Sequence, residues 1–356
     1  MKPFGYQAPS GPAAAVALVA GRPGAAFLAG GTNLIDLMKL GVAAPDLLVD
    51  VTGLLPDGIG HLAGGGGRGQ GRGLRIGAGV RNSDLAADPR VRAGYPVLAQ
   101  AVLAGASGQL RNAATVGGNL LQRTRCPYFQ DVTKPCNKRT PGSGCPALDG
   151  RRPEQVSRPG EHRNLAILGG SPHCAATHPS DMAVALAALD AVVHVHGTAG
   201  PRAVPLSGLY RMPGGEPDRE TTLGRGDLIT AVEIPALAYA RNSAYRKVRD
   251  RASYAFGVVS VAAALDVDGG VVRQARLALG AVAPLPWRAR AAERVLAGRP
   301  ATAEWFGLAA DAELAAADPL PGNAFKVTLA RNVMVRVLSE LAGGEPAGGG
   351  LAGAPS

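Results

Sequence analysis

Four cysteines are the residues here best suited to chemistry, and all four fall between positions 126 and 174 of 356. Three lie in RCPYFQDVTKPCNKRTPGSGCP, residues 125–146, and the last in HCAATHPSD. A polar segment broken by proline and glycine cannot fold on hydrophobic burial alone, and four thiolates closing long loops around one metal centre would organise it. The intervening gaps of nine, eight and twenty-eight residues fit neither a CxxC zinc ribbon nor a ferredoxin run, so spacing by itself does not choose the metal. Structural zinc, two disulfides and unpaired thiols remain as readings. Disulfides are disfavoured by the lack of an export signal, and scattered free thiols by the clustering.

Two glycine turns could hold phosphate, because backbone amides without a side chain in the way can close on an anion. One is Ala29-Gly30-Gly31-Thr32-Asn33, opening a helix; the other is Thr115-Val116-Gly117-Gly118-Asn119. Neither continues into Gly-Lys-Ser/Thr, so neither is a Walker loop, and neither matches GxGxxG, so a Rossmann dinucleotide site is not supported. His178 is read as a packing or hydrogen-bonding residue, and His194 and His196, alternating on one strand, as structural, since no third ligand is evident. No nucleophile–base pair stands out. That pattern suits a protein whose chemistry resides in a bound cofactor.

The elements that must position these residues follow from periodicity. FLAGGTNLIDLMKLG predicts a strand end, a tight turn and a helix with Leu34, Leu37 and Met38 at helical spacing. DLLVDVTGL and LRIGAGV predict strands, LAADPRVRAGYPVLAQAVLAGAS helical segments, RNLAILGG a strand and DMAVALAALDA an apolar helix. AVVHVHG, LITAVEIPA and RASYAFGVVSVAAALDV predict further strands or short helices, with helices in WRARAAERVLAG and KVTLARNVMVRVLSELAG. Gly64 to Gly73 reads as a low-complexity hairpin tip, and GGEPAGGGLAGAPS as a disordered tail.

Composition bounds the rest. At 356 residues and 46% hydrophobic content the chain can bury a sizeable core in two or three domains, and 50 glycines with 28 prolines predict many turns. The net charge of +10 comes with scattered arginines and no basic helix, arginine-rich arm or aromatic platform, which argues against nucleic acid and for acidic partners or an anionic cofactor. No long apolar window and no basic-then-apolar leader appear, so membrane insertion is not expected and the chain's own sequence predicts a cytoplasmic protein.

Taken in order, AGGTNLIDLMK, LRNAATVGGNL, HPSDMAVALAALDA, LITAVEIP and YRKVRDRASYA resemble the FAD-binding subunit of the xanthine dehydrogenase and aldehyde oxidase family of molybdenum hydroxylases, up to about residue 340. Within that family the cysteine insertion is most similar to the [4Fe-4S]-containing FAD subunits of bacterial periplasmic aldehyde oxidoreductases. It is less similar to those of 4-hydroxybenzoyl-CoA reductases. The resemblance implies an α+β fold: a PCMH-type FAD-binding domain of two α/β subdomains over 1–237, with a [4Fe-4S]-binding insertion at about 122–174. A smaller α+β carbon monoxide dehydrogenase flavoprotein-type domain over 238–342 and a tail over 343–356 would follow.

The resemblance also implies site residues. The amides of Phe27, Leu28, Ala29, Gly30, Gly31, Thr32, Asn33 and Leu34 match the first pyrophosphate loop, and Thr115, Gly118 and Asn119 the second. Asp181, which could otherwise be a helix cap, matches a flavin-nucleotide contact, and Ile229 a residue whose backbone meets the adenosine. Lys247 matches a lysine beside the pyrimidine edge of the isoalloxazine, with Arg246 a rival one position away. Cys126, Cys136, Cys145 and Cys174 match the ligands of a [4Fe-4S] cluster. The implied function is electron transfer from two [2Fe-2S] clusters on a small subunit, through FAD, to an external acceptor, while a large molybdopterin subunit oxidises the substrate. Export on a partner's signal would make the complex periplasmic. A stand-alone PCMH-superfamily FAD oxidoreductase with covalent flavin is the first alternative, disfavoured because no histidine occupies the first glycine loop. A zinc-stabilised, flavin-free partner-binding scaffold is the second.

Overall fold

The computed structural model describes residues 1–62, 73–149 and 161–343. The low-complexity stretch from Gly64 to Gly73, apart from Gly73 itself, and the tail from 344 onward lie outside them. The architecture is mixed α+β. A three-stranded parallel sheet orders its strands Gly5–Gln7, Leu47–Asp50, Ala25–Leu28. A five-stranded antiparallel sheet runs Ile59–His61, Leu74–Gly77, Leu228–Ile234, Val192–Gly197, Gly200–Pro205. One core, which includes Val49, Ile76, Leu98, Val193 and Val232, joins both sheets to their helices.

Beyond Ile234 the chain enters a four-stranded antiparallel sheet, ordered Trp287–Arg288, Val271–Gly280, Val259–Asp268, Ser243–Val248. Strand Val259–Asp268 is buried on both faces over its first seven residues. Val259, Val261, Ala263 and Leu265 face a second core with helices Arg290–Leu296, Ala303–Leu314 and Phe325–Leu341, whereas Ala262 turns to the first core. Period-2 alternation thus serves two cores at once. Helix Asp181–Ala188 packs on helix Pro96–Ala104 and on strands Val259–Asp268 and Val271–Gly280. Its sequence, DMAVALAA, is apolar nearly all round because it is covered nearly all round.

The cysteine segment forms a third, small lobe. Among its described residues only two short helical turns, Pro127–Gln130 and Pro146–Asp149, are regular. Leu37, Phe129, Leu165, Ala175, Ala176 and Leu320 pack there with Cys126, Cys136 and Cys174. The strand predicted over RNLAILGG is instead irregular. Its amides at Ile167 and Leu168 both donate to the carbonyl of Val282 (2.8 and 3.0 Å), so the segment is pinned to the edge of the other domain rather than paired in a sheet.

Lys326, fully buried, ties these parts together by donating from Nζ to the carbonyls of Leu165 (2.8 Å) and Ala281 (2.5 Å). Burial lowers its pKa to about 7. The charged form is therefore penalised in the folded state, fully so below about pH 7, and the penalty is relieved as pH rises toward the ordinary value of 10.5. Lys326→Met is expected to flatten the part of the stability–pH curve that climbs across that window. Urea titrations of both chains at pH 7 and pH 10 check it; an identical pH dependence would show that the buried amine is not the source.

Candidate functional site

The two glycine turns meet. The first follows strand Ala25–Leu28 and leads into helix Leu34–Lys39. A Cβ on Gly30 would stand 1.9 Å from the carbonyl oxygen of Ala113, so no other residue allows this approach. Gly31 adopts φ +70°, and Asn33 Oδ1 accepts from the amide of Arg123 at 2.9 Å. In the second turn Thr115 caps helix Val116–Leu120, its hydroxyl accepting from the amide of Gly118 at 3.2 Å. Asn119 Oδ1 accepts from the Ser180 hydroxyl (2.6 Å) and from Gln122 Nε2 (3.0 Å), and the Ser180 hydroxyl also accepts from the amide of Ala183 at 3.0 Å. One polar chain therefore runs from the second turn to the start of helix Asp181–Ala188.

These parts surround a cavity of about 1010 Å³, at the upper end for small-molecule sites. Gly30, Gly31, Thr32, Asn33, Gly118, Asn119, Asp181 and Lys247 line it. Phe27, Leu28, Ala29, Leu34, Thr115 and Ile229 do not. Phe27 and Leu28 belong to the strand before the turn, and Phe27 and Ala29 pack on the first core. Leu34 opens the following helix, Thr115 is the cap just described, and Ile229 is buried in the sheet opposite Val195.

Strand alternation decides between the two neighbouring cations. Lys247, only 3% exposed at its side chain, pairs with Asp181 at 2.8 Å and donates to the carbonyl of Ala104 at 3.1 Å. Arg246 points to the other face, 56% exposed, against Glu340 at 2.9 Å. Tyr245 donates its hydroxyl to the other Asp181 oxygen, and burial followed by that carboxylate raises its pKa well above the ordinary phenol value.

Five buried side-chain polar atoms among the described residues lack a hydrogen-bond partner, and four belong to residues of this cavity: Asn33 Nδ2, Asn82 Oδ1, Arg125 Nη1 and His178 Nε2. Orphan polar atoms are costly unless something completes them, and a polar ligand in the cavity would relieve that cost. Burial lowers the pKa of His178 to about 4, keeping it neutral, and its ring meets Tyr210 edge-on at 4.5 Å. His194 lies 3.0 Å from Glu233 in the five-stranded sheet, away from the cavity. Asn82 and Arg125 carry no sequence pattern that marks them; only Arg125's place beside Cys126 draws the eye.

The four cysteines are free and line one space of about 10 Å³, with room for a single water. Tyr128 and Phe129 direct their amides at the Cys126 sulfur, Ala147 and Leu148 theirs at Cys145, and Ala176 donates to Cys174 at 3.4 Å. Burial pushes Cys126 to about 12 and Cys145 to about 11, and raises Cys174, so without a counter-charge these thiols stay protonated. Among the described residues no three His, Cys, Asp or Glu side chains stand close enough to hold one metal ion. The wall between this space and the large cavity is thin. Gln130, Asn164 and Thr177 line the large cavity, while their chain neighbours Phe129, Leu165 and Ala176 line the cysteine space.

Comparison with known proteins gives concordant results. Residues 2–237 match the FAD binding domain in molybdopterin dehydrogenase, and residues 243–341 the CO dehydrogenase flavoprotein C-terminal domain. The chain is 50% identical over 341 residues to the aldehyde oxidoreductase FAD-binding subunit PaoB of Escherichia coli (strain K12), covering 96% of this chain and 98% of that protein. It is 28% identical to the carbon monoxide dehydrogenase medium chain of Hydrogenophaga pseudoflava over 94% of this chain and 96% of the relative. A solved structure of carbon monoxide dehydrogenase from that organism, lacking the Mo-pyranopterin moiety of the molybdenum cofactor, superposes with a TM-score of 0.70 at 27% identity, over 95% and 96% of the two chains. Among the described residues no helix is long and apolar enough to cross a membrane.

Gly30→Ala is expected to cost the chain its flavin, roughly a hundredfold or more in affinity, because the two turns can no longer touch. FAD retention through gel filtration, alongside an unchanged far-ultraviolet circular dichroism spectrum, checks it. Wild-type retention would mean that the contact does not shape the site.

Proposed function

The chain belongs to the family of FAD-binding subunits of molybdopterin dehydrogenases, and on that premise we propose that it is the electron-transferring flavin subunit of a heterotrimeric, aldehyde-oxidising molybdenum hydroxylase. The reading is supported above all by the Gly30–Ala113 approach, which brings two runs of bare backbone amides to one edge of a cavity of about 1010 Å³. Amides of Gly30 to Asn33 on one side, and of Gly118 and Asn119 on the other, would close on the pyrophosphate of FAD. Asp181 would orient the nucleotide, and Lys247 would sit by the flavin ring, each holding the other in place. Bound FAD supplies exchange of electrons singly or in pairs. In the assembly this chain would receive electrons from a [2Fe-2S] small subunit, itself served by a molybdopterin large subunit, and deliver them to an external acceptor.

Cys126, Cys136, Cys145 and Cys174 would hold a [4Fe-4S] cluster. The donor set fits: four thiols from separate loops face one space, and three receive backbone N–H groups of the kind that stabilise sulfur charge. Among the described residues no three candidate ligands are gathered as a single zinc ion would need, with bonds of about 2.3 Å, so either metal centre would require the side chains to move. A four-iron core spreads its thiolates over four metals. As the side chains stand the space is too small for such a core, so the thiols would have to turn outward as it is inserted. A wall one residue thick between the two spaces supports electron transfer between such a cluster and the flavin.

Absorbance of the anaerobically purified chain, with iron and sulfide analysis, tests the proposal. Flavin bands over a broad iron–sulfur shoulder, with about four irons per flavin, are expected, and Cys136→Ser should remove the iron while leaving FAD bound. Flavin without iron would refute the cluster assignment, and a colourless zinc protein would refute both cofactors.

A further inference from the structure

Resting on the flavin reading above, we propose that Arg125 is a cofactor-binding residue whose guanidinium meets the negative charge that the isoalloxazine acquires when it is reduced. Arg125 occupies a built position. Its side chain lines the large cavity although the next residue, Cys126, lines the cysteine space behind it. Nη1 is fully covered and has no hydrogen-bond partner. The guanidinium lies over the ring of Phe256, 5.0 Å from its centroid, and its nearest carboxylate, Asp36, is 3.6 Å away and 52% exposed. A half-solvated carboxylate at that distance compensates a buried cation poorly. Donors therefore remain for a partner that has yet to arrive.

Two observations favour a partner at the ring over one at the pyrophosphate. Phe256 and Gly257 continue one loop, and a Cβ on Gly257 would lie 3.5 Å from the Lys247 side chain, so Arg125 and Lys247 serve the same end of the cavity. Lys247 is already neutralised by Asp181 at 2.8 Å. Its charge is largely answered before any ligand binds, whereas that of Arg125 is not. Two-electron reduction by an external donor adds one proton at N5 and leaves the anionic charge spread over N1 and the adjacent carbonyl of the flavin. A cation facing that edge stabilises the reduced form more than the oxidised one, and so raises the potential.

The test compares affinities of the flavin-free full chain for oxidised FAD and for dithionite-reduced FAD, measured anaerobically by equilibrium dialysis. For Arg125→Gln, reduced FAD should bind at least tenfold more weakly with oxidised FAD little changed, a fall of about 30 mV in the two-electron potential for each tenfold. Asp36→Asn keeps the guanidinium and removes its nearest carboxylate, so the reduced form should bind more tightly relative to the oxidised one. If Arg125→Gln weakens both forms equally, the guanidinium serves the pyrophosphate or packing and the proposal is wrong; no change in either form also overturns it. Should that variant fail to fold, Asp36→Asn decides alone, an unchanged ratio counting against the proposal. Failure of the wild-type chain to bind FAD at all would instead sink the flavin reading, a result distinguishable from the others.

Discussion

The carbonyl of Ala113 reaches the Cα of Gly30 so closely that no side chain can stand between them, and the rest of the site depends on that approach. It is a constraint of excluded volume, not a strong bond. Because it holds, the turn after strand Ala25–Leu28 and the turn before helix Val116–Leu120 present their amides to one space, although more than eighty residues separate them along the chain. Hydrogen bonds from Asn33 to the Arg123 amide and from Ser180 to Asn119 then fix the angle between the turns and the helix bearing Asp181. Each bond contributes only about 1 kcal/mol net. Their value is geometric, since amides aimed at an anion are useful only if they are fixed before it arrives.

The cysteine lobe is held by a different means. Among the described residues it has little regular structure, and part-buried ion pairs supply what a sheet would have supplied. Glu220 accepts from Arg123 at 2.5 Å and from Lys138 at 3.1 Å. Burial alone would raise the Glu220 pKa, yet Arg123 and Lys138 together hold it below the ordinary carboxylate value. Arg123 lies just after the second glycine turn and Lys138 between two cysteines, so one carboxylate ties that turn to the thiol loop. Lys326 and Asn323 do the same from the C-terminal domain, through the carbonyl of Leu165. Glu220 and Arg123 are part-exposed and Lys138 is buried, so removing Glu220 is most costly through the Lys138 ammonium it leaves unpaired.

Much of this was legible in the sequence because it is local. Glycines at a strand-to-helix turn, an apolar helix after Pro-Ser-Asp and alternating strands each follow from the preferences of a few neighbouring residues. RNLAILGG misled because its apolar run fits a strand equally well, while its amides are answered by Val282, more than a hundred residues away. Arg125 escaped notice for a related reason. In a row of polar residues beside a cysteine it looks solvated, and only the fold covers it with Phe256.

The sequence by itself determined the kinds of group available: bare amides in two turns, four thiols, and an arginine–lysine pair at 246 and 247. Through its likeness to a family of flavin subunits it also implied what those groups would be for. Tertiary structure alone decided which atoms share a space. Strand register sent Lys247 inward to Asp181 and Arg246 outward to Glu340, and backbone packing set Gly30 against Ala113. A chain turn at one peptide put Arg125 and Cys126 on opposite sides of a wall. Propensities act over a few residues, whereas burial and charge compensation are properties of the closed fold, and the second kind of force decides which buried polar groups are left facing a ligand.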